Sequence, residues 1–280
     1  MADIRKTNSI ISTLMYAVMF LFTLLALYPI FWLFISSFKT TQEYMLNSKL
    51  ALPENWFFSN YPIAWRDGIF GILIFNSIFY TVVTVSSIII LSFMAGFAFA
   101  KLPTKITPIL HGSFVIGILI TLQCILIPLF IMIRSVGLYN TRLGVLIPYI
   151  GVGLPMAVYL ATAYIKGIPT EVIESARMDG AKYLGVFARI IMPMAMPVAV
   201  TTAILTTTGT WNEFMLINVL IASDRLRSLP SGIRMFAGVL ATDFGKMFAG
   251  MTIGMLPMIL FYVAFRKQIT KGVTAGAVKG

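Results

Sequence analysis

The chain has 280 residues, of which 59% are hydrophobic and 11% charged, and its formal net charge is +11. Soluble domains average about 25% charged residues, so most of this chain has to sit in lipid and a water-soluble enzyme is excluded. The positive charge does not point to nucleic acid: the basic residues are scattered between apolar runs and form no stripe, as expected of the flanks of membrane spans. The one cysteine, Cys124, cannot form a disulfide within the chain.

Runs free of Asp, Glu, Lys and Arg cover residues 7–38, 69–100, 106–133, 143–165, 190–212 and 247–265. Crossing a hydrocarbon core takes about 20 helical residues, and only structures that satisfy their own backbone survive there. The expectation is an all-α membrane protein, one domain over 1–280, with six transmembrane helices near 10–36, 71–99, 107–133, 143–165, 194–221 and 247–265. The first run is too long for the h-region of a signal peptide, about 7–15 residues, and ends in Ser36-Ser37-Phe38-Lys39 without a small-residue cleavage pattern, so it reads as a retained helix. Residues 39–68 hold Pro53 together with Trp56, Tyr61 and Trp65, and the tryptophans and tyrosine suit a membrane interface. Residues 224–246 combine charge with Leu229-Pro230 and a short apolar piece at 235–240, which predicts a small interfacial or re-entrant helix. With both ends cytoplasmic, the inner side holds the majority of the 21 lysines and arginines, in keeping with the positive-inside bias.

Between the fourth and fifth spans lies Ile168-Pro169-Thr170-Glu171-Val172-Ile173-Glu174-Ser175-Ala176-Arg177-Met178-Asp179-Gly180-Ala181. Thr170 suits an N-cap, and Glu171 falls in the first turn, where the helix dipole favours negative charge. Val172, Ile173 and Ala176 give the short helix an apolar side, and Gly180 can take the left-handed conformation that ends it. A second helix then runs into the membrane through Pro193 and Pro197. Such a helix-turn-helix is too polar for lipid and suits the groove of a partner protein.

Glu174-Ser175-Ala176 followed by Asp179-Gly180-Ala181, with Phe187, Ile190, Pro193 and Pro197 at these offsets, resembles the EAA loop of ABC importer permeases, with Ser175 in place of the usual alanine. Trp211-Asn212-Glu213-Phe214 is similar to a motif of carbohydrate-uptake permeases, and the tail from Thr274 to Gly280 resembles that of the second maltose-permease subunit. The resemblance implies a MetI-like permease fold in a bacterial inner membrane. It also implies a heterodimer with a second homologous permease, two ABC ATPase subunits, and an extracytoplasmic sugar-binding protein that delivers carbohydrate. ATP and Mg would be bound by the partner ATPases, with no cofactor in this chain. The loop at 169–193 would couple to the ATPase through Glu171, Glu174, Ala176, Asp179, Gly180 and Ala181. The cytoplasmic tail at 266–280 would reach the ATPases through Gly276, Val278 and Lys279.

Asn76, Ser77, Gln123, Trp211, Asn212 and Glu213 are the candidates for a substrate path: amides pair with sugar hydroxyls, aromatic faces stack on sugar rings, and an ionisable group at membrane depth marks function by default. Tyr80 could offer a further ring. His111 has no second His, Cys or carboxylate at ligand spacing, so a metal site is not expected. Gly250-x-x-x-Gly254 has the spacing of a close-packing helix face. No phosphate-cradling Gly-x-x-x-x-Gly-Lys-Ser/Thr occurs, nor a nucleophile elbow or His-Glu-x-x-His. An ion-driven transporter would need more intramembrane carboxylates than Glu213 and paired broken repeats, and a membrane enzyme would need clustered catalytic groups.

Overall fold

The computed structural model describes residues 2–236 and 242–277. In chain order the helices are α1 (Ala2–Ser36), α2 (Thr41–Leu46), α3 (Asn60–Asp67), α4 (Phe70–Lys101), α5 (Thr107–Ile118), α6 (Leu122–Ser135), α7 (Arg142–Lys166) and α8 (Thr170–Met178). Then α9 (Tyr183–Val186) passes through a π-helical turn at Phe187–Ile191 into α10 (Met192–Met194), followed by α11 (Met196–Asn212), α12 (Met215–Leu220), α13 (Leu229–Gly232) and α14 (Phe244–Ala277). Among the described residues, four helices are long and apolar enough to cross a membrane without interruption: Ser12–Ser36, Phe70–Lys101, Arg142–Lys166 and Phe244–Gln268. The count reaches six when each of two bent pairs is taken as one span.

Those bent pairs fall where the third and fifth spans are expected, and each is broken rather than straight. Residues 107–133 do not form one rod: α5 and α6 meet at 106°. Thr121 is extended (φ −78°, ψ 147°), and the N–H groups of Leu119, Ile120 and Cys124 find local carbonyls, which is how such a bend satisfies its backbone. Residues 194–221 also break twice. Tyr183–Met194 and Met196–Asn212 meet at 77° around Ala195, just before Pro197, and α11 stops at Asn212. The last helix is longer than expected: it starts before residue 247 and continues past 265 through Arg266 and Lys267 to Ala277, so most of the segment read as a tail is helical. Val278 and Lys279 lie outside the described residues, as does most of the apolar piece at 235–240.

The chain divides into two compact units. One comprises Met1–Phe70 and Ile233–Met258. Here the segment after α1 is strapped down by backbone-directed side chains: Asn60 Nδ2 donates to the carbonyls of Ser37 and Lys39, both at 2.8 Å, and Trp32 Nε1 donates to that of Lys49 at 3.0 Å. Lys39, only 1% exposed, donates through Nζ to the carbonyls of Ser48 and Lys49. The segment expected at an interface thus carries a buried aromatic and polar knot, while Trp56 and Trp65 stay half exposed. Gly250 has no room for a side chain, since a Cβ there would lie 2.8 Å from Phe70 Cζ. At the start of α14, Asp243 Oδ1 accepts the Lys246 N–H and the Thr41 hydroxyl, and Oδ2 pairs with Lys246 Nζ at 3.0 Å. Burial pushes the Asp243 carboxyl up, but these donors outweigh it and hold it below the usual carboxylate range.

The other unit comprises Gly71–Gly232 and Ile259–Gly280. Its centre is the packing of α4 on α7. A Cβ at Gly96 would lie 2.8 Å from Ala161 Cβ, and Gly153 gives way to the Ile88 side chain, so glycine on each helix lets the two backbones approach closely. Two apolar cores flank this seam. One gathers Phe93, Phe97, Ile165, Ile173, Val186 and Ile191, and the other Tyr80, Ile133, Val145, Tyr149, Leu216 and Leu220.

Candidate functional site

Helix α8 and the turn after it form the first candidate. Pro169, extended at φ −57° and ψ 136°, occupies the N-cap with no side-chain cap bond. This corrects the assignment of Thr170, which is already helical and whose hydroxyl instead receives Lys101 Nζ at 3.3 Å. At the other end Gly180 takes φ +82°, with the Gly180 N–H on the Arg177 carbonyl and the Ala181 N–H on the Ala176 carbonyl, both 3.0 Å. That pair of bonds is a Schellman motif with glycine at C′. Ala176 and Ala181, which close it, both pack on the core that buries Ile173.

The helix is therefore fixed by one face and free on the other. Ile173 is 6% exposed, whereas Glu171, Glu174, Ser175, Asp179 and Gly180 are exposed and Met178 is 88% exposed. The outward surface carries two carboxylates on α8 and a third at Asp179, a pattern suited to a cationic pocket on another protein.

Two side chains that the sequence reading passed over hold this element in place. Arg177 Nη1 donates to the Ala181 carbonyl at 3.1 Å, and its guanidinium lies 4.3 Å from the Tyr183 ring, so it braces the turn from outside. Lys101, the last residue of α4, donates through Nζ to the Ile168 carbonyl at 2.5 Å and the Lys166 carbonyl at 3.5 Å as well as to Thr170. The ammonium thus caps the carbonyl end of α7, where the helix dipole favours a cation, and reaches the first residue of α8. The available signal was a lone basic residue ending a long apolar helix, which hydropathy reads as a flank.

The second candidate is a cavity of about 290 Å³ between α4, α7 and α11, lined mostly by apolar groups together with Tyr149, Thr202, Thr206, Thr210 and Glu213. Glu213 sits in the gap between α11 and α12 with extended backbone (φ −70°, ψ 127°). Its Oε2 accepts the Tyr149 hydroxyl at 2.7 Å, and its Oε1 accepts the Leu216 N–H at 2.7 Å, capping the helix that follows.

The other path candidates fall elsewhere. Asn76, fully buried, donates through Nδ2 to the carbonyls of Arg225 (2.8 Å) and Arg227 (3.0 Å) and accepts from Arg142 at 3.1 Å. Ser77 Oγ accepts the Leu229 N–H at 2.7 Å, and the Tyr80 hydroxyl donates to the Leu226 carbonyl at 2.8 Å. These three residues hold the segment between α12 and α13, and none of them lines the cavity. Trp211 is buried, Gln123 and Asn212 are exposed, and none of the three lines the cavity either. Gly276 falls within α14. His111 meets Phe99 edge-on at 5.8 Å, and among the described residues no group of three His, Cys, Asp or Glu could hold a metal ion.

Residues 5–274 match the family model described as "binding-protein-dependent transport system inner membrane component". The chain is 34% identical over 280 residues to the probable ABC transporter permease protein YurM of Bacillus subtilis (strain 168), covering 99% of this chain and 91% of that one. It is 33% identical to the trehalose transport system permease protein SugB of Mycobacterium tuberculosis (strain CDC 1551 / Oshkosh), covering 91% and 93% of the two chains. In three dimensions it superposes, with a TM-score of 0.80 and 24% identity, on a chain of a bacterial ABC transporter involved in the import of the acidic polysaccharide alginate, covering 93% and 97% of the two.

Proposed function

The chain belongs to the family of inner membrane components of binding-protein-dependent transport systems and is a permease subunit of an ABC importer, and from that premise we propose that it carries a sugar or oligosaccharide handed over by an extracytoplasmic binding protein. The energy comes from separate ATPase chains, two per complex, which bind ATP and Mg. A second, homologous permease completes the channel as a heterodimer. Both chain ends and α8 face the cytoplasm of a bacterial inner membrane. Glu171, Glu174, Ala176, Asp179, Gly180 and Ala181 form the element that seats in a cleft of the ATPase, with Glu174 toward a basic group there. The tail residues Gly276, Val278 and Lys279 reach the ATPase pair. Cargo passes the region of Gln123, Trp211, Asn212 and Glu213. Asn76 and Ser77 stay outside it, since they are spent on holding a loop.

The observation that carries the coupling reading is the one-sided fixation of α8. Its inner face is welded into the core through Ile173, while its acidic outer face has no partner in this chain among the described residues. A force applied to α8 from outside is therefore delivered to α4, α7 and α9, because all of them contribute to the same packed cluster. The cargo reading is supported by the sugar named for the trehalose permease relative.

The test uses the complex in liposomes with receptor outside and ATP inside. The variant Glu174→Ala/Gly180→Pro removes one outer carboxylate and forbids the left-handed turn. Transport per ATP hydrolysed should drop about tenfold or more, the equivalent of one lost docking contact. Undiminished transport per ATP in that variant would overturn the coupling reading. A receptor that retains amino acids or peptides instead of carbohydrate would overturn the cargo reading.

A further inference from the structure

Helix α4 is gripped at both ends by polar contacts to backbone. Near its start, Asn76 and Tyr80 take up the carbonyls of Arg225, Leu226 and Arg227, and Ser77 takes the N–H of Leu229. The same segment is steadied by Asn140, whose Oδ1 accepts the N–H groups of Ala222 and Ser223 at 3.1 and 2.9 Å. At the end of α4, Lys101 takes the carbonyls of Lys166 and Ile168 and the hydroxyl of Thr170. Between these grips the helix contains no proline, and it is locked to α7 at Gly96 and Gly153. From Asn76 to Lys101, at 1.5 Å per residue, is roughly 38 Å, enough to cross a bilayer core.

We infer that α4 is a strut that carries displacement between the loop at 221–229 on one side of the membrane and α8 on the other, with Lys101 as the pin that fastens it to α8. This rests on the coupling reading above and adds a direction to it: docking of the loaded receptor at the far end is felt at α8 through α4. Apart from the Arg142–Asn76 bond, each bond that α4 makes at the two grips runs from one of its side chains to a backbone group or the Thr170 hydroxyl of another segment. A displacement of the loop backbone therefore pulls on the helix. Both sites bias one physical element, which is what coupling over this distance requires. Lys101 acts through α8 and is a positioning residue.

The experiment is hydrogen–deuterium exchange on the complete complex, reading peptides over 168–178 with and without cargo-loaded receptor, alongside the ratio of receptor-stimulated to basal ATP hydrolysis. In the unaltered chain and in Lys101→Arg, which keeps the donors, receptor should change exchange over 168–178. In Lys101→Met that response and the stimulation ratio should fall about fivefold or more, the lower bound of ordinary allosteric coupling. Asn76→Ala should do the same from the other end. If the Met variant fails to hold its ATPase, Lys101→Ala replaces it, with the same fall expected. A full response in Lys101→Met or Lys101→Ala overturns the strut. Glu174→Ala/Gly180→Pro is run in parallel: if it uncouples while the Lys101 and Asn76 variants respond normally, the strut alone falls, and if it stays coupled, the coupling reading falls first.

Discussion

Two breaks between helices, the turn at Gly180 and the gap at Glu213, are built in opposite ways. The first is made of backbone: a left-handed glycine and two main-chain hydrogen bonds close α8, and no side chain is needed for either bond. The second is made of a side chain: the Glu213 carboxylate caps α12 and is itself held by the Tyr149 hydroxyl from another helix. A backbone turn cannot be released without refolding it, so it suits an element that has to transmit force. A side-chain cap can exchange its partner for a ligand or for water, so it suits an element beside a cavity that has to change shape.

The largest test of that contrast is Glu213→Ala, which strips the cap from α12 and leaves the buried Tyr149 hydroxyl without its acceptor. A buried unpaired donor costs about 1–3 kcal/mol and a lost helix cap about 1 more. Exchange at the Leu216 amide should accelerate markedly, and an unchanged rate would show that the gap is fixed by something other than the carboxylate. Next in size is Gly180→Val. A Cβ at Gly180 meets nothing within 4 Å, so the whole penalty is conformational, about 1–2 kcal/mol for a left-handed non-glycine. Gly180→Asn should recover much of the loss, because asparagine tolerates that region. Equal damage from both substitutions, read as transport per ATP, would mean that the outer surface at Gly180 is crowded by a partner.

Arg177→Ala sharpens the comparison by removing a side chain from the backbone-made turn. The loss should be modest, about 0.5–1 kcal/mol for an exposed cation–π contact, visible as faster exchange at Ala181 with the turn retained. Smallest is the acid response of Asp243. Its carboxyl is held below the ordinary value of 3.8, so the stability it contributes is complete above that value and is lost only as pH falls through the lower folded-state value. Asp243→Asn should therefore flatten the melting temperature of the detergent-solubilised chain against pH in the region below pH 3.8, and leave its slope above that region alone.

What could be read from the letters follows the same division. Gly180 announces a turn because one residue type dominates that backbone conformation, and Ile173 announces a buried face by its spacing from Val172 and Ala176. Glu213 announces nothing comparable: glutamate is a good helix former, and only Tyr149, 64 residues away in sequence, turns it into a cap. The 106° bend at Leu119–Thr121 is silent for a similar reason, since two apolar residues and a threonine carry no breaker. Asn76 and Ser77 were legible as polar residues at membrane depth. Whether they faced cargo or a loop depended on where residues 225–229 come to lie, which no local pattern contains.

The π-helical turn at Phe187–Ile191 has a consequence for the direction in which α8 projects. The Met192 N–H reaches back five residues to the Phe187 carbonyl, so one extra residue is threaded into that turn relative to an ordinary helix. Deleting a single residue there would restore the common pitch and swing everything upstream, including the acidic face of α8, by about 100° around the axis relative to α10. The bulge thus works as a phase setting: it fixes the compass bearing at which the lever leaves the bundle, and homologous levers with a different bearing would be expected to differ there by one amino acid.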